Sequence, residues 1–154
     1  MKKLLSTLLV LTSISSMAAT TGNLILSGTV PALLSIEVSP EALASSLPLD
    51  TTQTDAKVAT VNEKSNSNTG YKVNISSANA GSLVHESVTS SFINYALTYD
   101  GSSVDLVNGD EFVFSSASAV DANKDIDISY TGVAHENLIQ GDYTDTVTFT
   151  ISAN

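Results

Sequence analysis

Past its first twenty residues the chain alternates apolar and polar side chains at a period of two almost without a break. Tyr71, Val73 and Ile75 alternate with Lys72, Asn74 and Ser76, and Ile93, Tyr95, Leu97 and Tyr99 alternate with Asn94, Ala96 and Thr98. Successive side chains on an extended strand point to opposite faces, so each run presents one apolar and one polar face, as a half-buried antiparallel strand requires. The pattern continues through Ile36 and Val38, Phe112 and Phe114, Ile126, Ile128 and Tyr130, and closes with Tyr143, Val147, Phe149 and Ile151. Between the runs lie the turn signals "SNSNTG", "SANAGS", "YDGSS", "VNGDE" and "QGDY". The only candidate helical turn is "SPEALASS", with Ser39 as cap and Pro40 at the first helical position, and it reads more simply as a bridging loop. Many one-sided strands are buried most directly by packing two sheets face to face. The expected fold is therefore all-β, an immunoglobulin-like β-sandwich of about seven strands, counting an N-terminal one.

The start of the chain is of a different kind. "MKKLLSTLLVLTSISSMA" has a basic start, a short apolar run and small residues at Ser16 and Ala18, the arrangement of a signal peptide over residues 1–18. Its apolar run is too short for a bilayer span, and no later stretch approaches the roughly 18 apolar residues that one requires. The expectation is an exported protein that is not inserted in a membrane. Cleavage removes Lys2 and Lys3 from the 6 basic residues and leaves all 16 acidic ones, for a net charge of −12. Such a charge argues against nucleic acid and anionic membranes as partners. Both methionines also leave with the signal peptide, and the chain holds no Cys or Trp, so no disulfide can support the fold.

Chemistry-bearing clusters are few. His85 and His135 are the only histidines; each is followed by a Glu in a polar, loop-like stretch, and neighbours on an extended chain point apart, so neither pair is a dyad. They read as solvated loop residues, and with no nucleophile motif around the serines the chain is expected not to be an enzyme and to need no cofactor. "DANKDID" places Asp121, Asn123, Asp125 and Asp127 at alternate positions, as a calcium loop does. The sixth position is Ile126 where such a loop needs Gly, and the twelfth is Gly132 where it needs Glu. The competing reading is a strand whose solvated face carries these four residues. The tyrosines share strand parity with Val, Ile and Leu, which assigns them to packing; Tyr143 is in addition a candidate for the corner hydrogen bond of a sandwich.

The stretch "TTGNLILSGTVP", Thr20 to Pro31, has strand character before any turn has supplied it with a partner. Two pairings are open: it forms the edge strand of its own sandwich, or it adds to the exposed sheet edge of another molecule. The sequence "NLILSGTVPALLSIEVS" resembles the start of chaperone–usher pilins, with Gly28 and Pro31 at the junction. "NTGYKVNISSANAGSLV" followed by "INYALTYDGSSVDL" is similar to bacterial fimbrial and spore-coat-U-type domains, and "GDYTDTVTFTIS" to their closing strand. The first strand, "LLS", has no cysteine, which directs the resemblance to the cysteine-free alpha-type pilins.

The resemblance implies an incomplete sandwich over residues 29–154 that lacks its final strand, preceded by a donor-strand extension over residues 19–28. It implies a surface fimbria subunit that polymerises with copies of itself, reached through the periplasm with a chaperone and an outer-membrane usher as partners, and with a role in adhesion to a host or surface receptor. Alternation then puts Gly22, Leu24, Leu26 and Gly28 on the inserted face; the register shifted by one would bury Ile25 and expose both leucines. Burial of Leu24 and Leu26 is worth roughly 1.5–3 kcal/mol each before entropy costs. The alternative is a secreted monomeric binding module, with a self-paired N-terminal strand and loops such as "NAGSLVHESV" presented to a sugar or surface receptor.

Overall fold

The computed structural model describes residues 20–154; the signal-peptide assignment lies outside them. The compact unit runs from Pro31 to Asn154. It contains β1 (Leu34–Pro40), β2 (Gln53–Ser65), β3 (Tyr71–Ser77), β4 (Ser82–His85), β5 (Phe92–Tyr99), β6 (Ser102–Ser103), β7 (Asp110–Phe114), β8 (Val120–Tyr130), β9 (Tyr143–Thr144) and β10 (Val147–Ala153). The larger sheet has the order β1-β2-β8-β5-β4-β9, with β6 paired to β5, and the smaller has the order β10-β3-β7. All ladders are antiparallel. The all-β sandwich expected from the alternation is the fold.

The alternating residues meet between the sheets. Val61, Leu97, Tyr99, Ile126, Ile128 and Tyr130 come from the larger sheet and Tyr71, Val73 and Ile75 from the smaller, all buried. Two aromatic contacts close one side: Tyr71 stacks on Phe114 with centroids 4.9 Å apart, and Tyr99 lies tilted against Phe112 with centroids 4.8 Å apart.

Four features differ from the reading of the sequence. The longest strand, β2, had no clean alternation to announce it. Its inward positions include the polar Glu63 and Ser65, and register shifts at Gln53/Ala56 and Lys57/Ala59 move its parity, with Asp55 at a φ of +47°. The closing run is two strands: β9 belongs to the larger sheet and β10 to the smaller, because the chain changes sheets at Asp145 and Thr146. The turn after Pro40 is a short 3₁₀ helix over Ala42–Ser45, with Glu41 before it and no side-chain cap; Ser39 and Pro40 belong to β1. Finally, the first strand begins at Leu34, and residues 20–33 belong to no strand.

Candidate functional site: a cleft between two free strand edges

Each sheet ends on one side in an edge strand. β1 pairs only with β2 and β10 only with β3, so one backbone edge of each carries no ladder among the described residues. The two edges lie beside each other. Between them opens an apolar cleft of about 350 Å³ that reaches into the sandwich. Val38 and Pro40 form one lip, Val147 and Phe149 the other, and Leu97, Ile126 and Ile128 lie at its base.

Burial falls steeply across this opening. Val61 is fully buried, whereas its ladder partner Val38 on β1 is 40% exposed. Val73 and Ile75 on β3 are buried, whereas their partners Ile151 and Phe149 on β10 are only half-buried. Apolar faces left half-covered along two neighbouring edges are under-packed for a core, since burial contributes roughly 25 cal/mol per Å².

Two carboxylate–tyrosine hydrogen bonds tie the sandwich, one lining the cleft and one beyond it. Near the start of β10, the Tyr95 hydroxyl donates to Asp145 Oδ2 over 2.6 Å, and the Ser77 hydroxyl donates to the same oxygen. Asp145 Oδ1 accepts the backbone N–H of Asn79 and of Thr146. Near the start of β1, the Tyr71 hydroxyl donates to Glu63 Oε2 over 2.7 Å, which joins β3 to β2 across the sheets. Burial raises the Glu63 carboxyl above the usual carboxylate range; the Tyr71 hydrogen bond and nearby Lys124 oppose the rise, and Asp100 adds to it. Tyr71 and Tyr95 are pushed up by burial first and then by their carboxylate partners. Glu63 Oε1 and the Tyr99 hydroxyl are buried without a hydrogen-bond partner among the described residues.

The residues expected on the inserted face, Gly22, Leu24, Leu26 and Gly28, precede the compact unit. Leu24 and Leu26 are each 83% exposed, and so is Val30, while Ile25 is 87% exposed. Asp121, Asn123, Asp125 and Asp127, the candidate calcium ligands, sit on β8. Their partners there are protein groups: Asn62 donates to Asp121 and Asn123, Lys64 pairs with Asp121 and Lys57 with Asp125. The Asn62 bond and then Lys64 hold Asp121 below the usual carboxylate range. No group of three or more His, Asp or Glu side chains converges on a cation position among the described residues.

The histidines differ from one another, and the solvated-loop reading fails for His85. It is buried: Nδ1 accepts the backbone N–H of Ser87 and Val88, which leaves Nε2 to donate to the Gln140 carbonyl at 3.0 Å. Both nitrogens are thus committed to holding loops, and a side chain at Gly141 would collide with the ring. His135 is exposed beside Asp50. Tyr143 makes the corner bond, donating to the Ile139 carbonyl at 3.0 Å. Tyr71, Tyr99 and Tyr130 are buried, so the five tyrosines form no exposed platform.

Sequence reasoning missed Asp145 and Glu63, although each had a signal. Both occupy slots of inward parity, Asp145 between Tyr143 and Val147 and Glu63 after Val61, where an apolar residue was due. Chemically the cleft offers unpaired backbone donors and acceptors along two edges and apolar surface between them, which suits an extended chain with alternate apolar side chains. No helix among the described residues is long and apolar enough to cross a membrane. No known family's sequence profile matches the chain, and no characterised protein matches it in sequence.

Proposed function

We propose that this protein is a structural subunit of a bacterial surface pilus, exported through the periplasm and polymerised non-covalently by donor-strand complementation. The observation that carries this reading is the open cleft between the free edges of β1 and β10, in a chain whose own N-terminal segment bears exposed Leu24 and Leu26. The dimensions support it. β1 and β10 are each seven residues long, and Gly22 to Gly28 is also seven.

In this mechanism the extension of one copy enters the cleft of the next as an added strand. Its backbone completes the ladders of β1 and β10, Leu24 and Leu26 cover Val38 and Phe149, and the flanking glycines let the strand sit close to both lips. No covalent step occurs. A periplasmic chaperone covers the cleft before assembly, an outer-membrane usher delivers the subunit, and the fibre takes part in adhesion.

The test is deletion of Thr20–Ser27 from the exported chain. The expected product is monomer or chaperone-bound subunit with no fibre, against fibres from the wild type. Fibres that persist after the deletion, or a wild type that folds to a stable monomer without any chaperone, would defeat the reading and favour a monomeric binding module.

A further inference from the structure

We propose that Asn66, in the turn between β2 and β3, clamps the root of the N-terminal extension and thereby sets how stiffly one subunit is joined to the next. The inference rests on the strand-exchange reading above. The β1–β2 ladder ends at the Leu34/Ser65 pair, but the chain is held further back than this. The Asn66 backbone N–H donates to the Leu33 carbonyl at 3.1 Å, its Oδ1 accepts the Leu33 N–H at 2.6 Å, and its Nδ2 donates to the Pro31 carbonyl at 2.8 Å. Pro31 has no N–H, so a ladder could not continue through it; a side-chain amide that offers both a donor and an acceptor does the same work.

The turn that carries Asn66 is itself braced. Ser67 N–H donates to Ser65 Oγ, Thr69 N–H donates to Ser67 Oγ, and the Ser67 and Thr69 hydroxyls are 3.1 Å apart. Its far side grips the other end of the chain: Thr69 Oγ1 donates to the Asn154 carbonyl, and Asn154 Nδ2 donates to the carbonyls of Thr69 and Phe114. Gly70, at a φ of +89° and against the Phe114 carbonyl, admits no side chain. One turn therefore holds both the chain entering β1 and the chain leaving β10, the two strands whose other ends form the lips of the cleft.

The consequence is a short hinge. With residues 22–28 seated in a neighbour, only Thr29 and Val30 stand between the seated strand and the clamp. Without the clamp, residues 29–33 are all free, and the root-mean-square reach of the connection grows from about 8 Å to about 12 Å. Asn66 is thus a positioning residue for the fibre rather than a part of the strand bond.

The experiment compares fibres of the full exported chain, wild type, N66A and N66D, by electron microscopy. The expected result for N66A is an unchanged fibre yield with persistence length reduced by about twofold or more and a blurred axial repeat. N66D keeps the acceptor for Leu33 but cannot donate to Pro31, and falls between. N66A fibres as stiff as the wild type overturn the proposal while leaving strand exchange intact; absence of fibres from the wild type overturns strand exchange and this proposal with it. Should N66A fold poorly, the Leu33 amide decides: faster hydrogen exchange there in folded N66A, with β3 protection retained, supports the clamp, and unchanged exchange overturns it.

Discussion

Asp145 at the cleft and Glu63 near the start of β1 tie the sandwich with the same pair of groups, a carboxylate and a tyrosine hydroxyl, yet their surroundings are opposite. Asp145 accepts four hydrogen bonds, from Ser77, Tyr95 and the backbone of Asn79 and Thr146. Glu63 accepts one, from Tyr71, and its second oxygen is buried without a partner. A buried carboxylate is tolerated in proportion to the donors around it, because each donor replaces a water lost on folding. Asp145 is therefore a strut for its end of the cleft, whereas Glu63 is a strut whose strength depends on its charge.

The largest expected break in this comparison is Asp145→Ala, which strands four donors at the β9–β10 junction and should cost about 3 kcal/mol, read as a drop in the denaturant midpoint. A midpoint close to the wild type would remove Asp145 from its role. Tyr71→Phe comes next, at about 2 kcal/mol at neutral pH, since it leaves Glu63 with no donor at all. The loss should shrink at pH 4, where the carboxyl is protonated.

Glu63→Gln sharpens the contrast through pH. The Glu63 pKa is raised in the folded state, so its contribution to stability is fully present below the ordinary value near 4.5 and is lost as pH rises through the folded value. The variant should be more stable than the wild type at pH 7, with the difference gone at pH 4, followed by thermal midpoints; a difference constant with pH would contradict the assignment. Tyr143→Phe, which breaks the corner bond to Ile139, should cost only about 1 kcal/mol in the same assay. Smallest of all, millimolar calcium should leave the midpoint unmoved, because Asp121 and Asp125 are already paired with Lys64 and Lys57; an upward shift would restore the cation reading of Asp121, Asn123, Asp125 and Asp127.

How far the fold could be read in advance depended on how faithfully each strand obeyed its period. β3, β5 and β8 bury Val73, Ile75, Leu97 and Ile126 at the positions alternation assigned. β2 escaped because its two register shifts and its buried Glu63 erase the alternation, and polar inward residues are indistinguishable from outward ones until a partner such as Tyr71 is known. The split of the closing run at Asp145 escaped for a related reason: a local pattern of period two does not say which sheet a strand joins. His85 read as a loop residue because its partners, the backbone at Ser87, Val88 and Gln140, have no signature in residue type.

The candidate site divided in the same way. The alternation of Leu24 and Leu26 between Gly22 and Gly28 is a local pattern, and the structure adds that both leucines are exposed. The cleft is not a local pattern. It exists because β1 and β10, more than a hundred residues apart in the chain, end their sheets side by side.

By itself the sequence determined the class of structure and the faces of most strands, because alternation is imposed by the geometry of a single extended chain and its contact with water. Only the tertiary structure decided which edges remain free, which carboxylates are satisfied and where the chain is clamped. Those properties belong to pairs of residues far apart in sequence, and no single strand contains them.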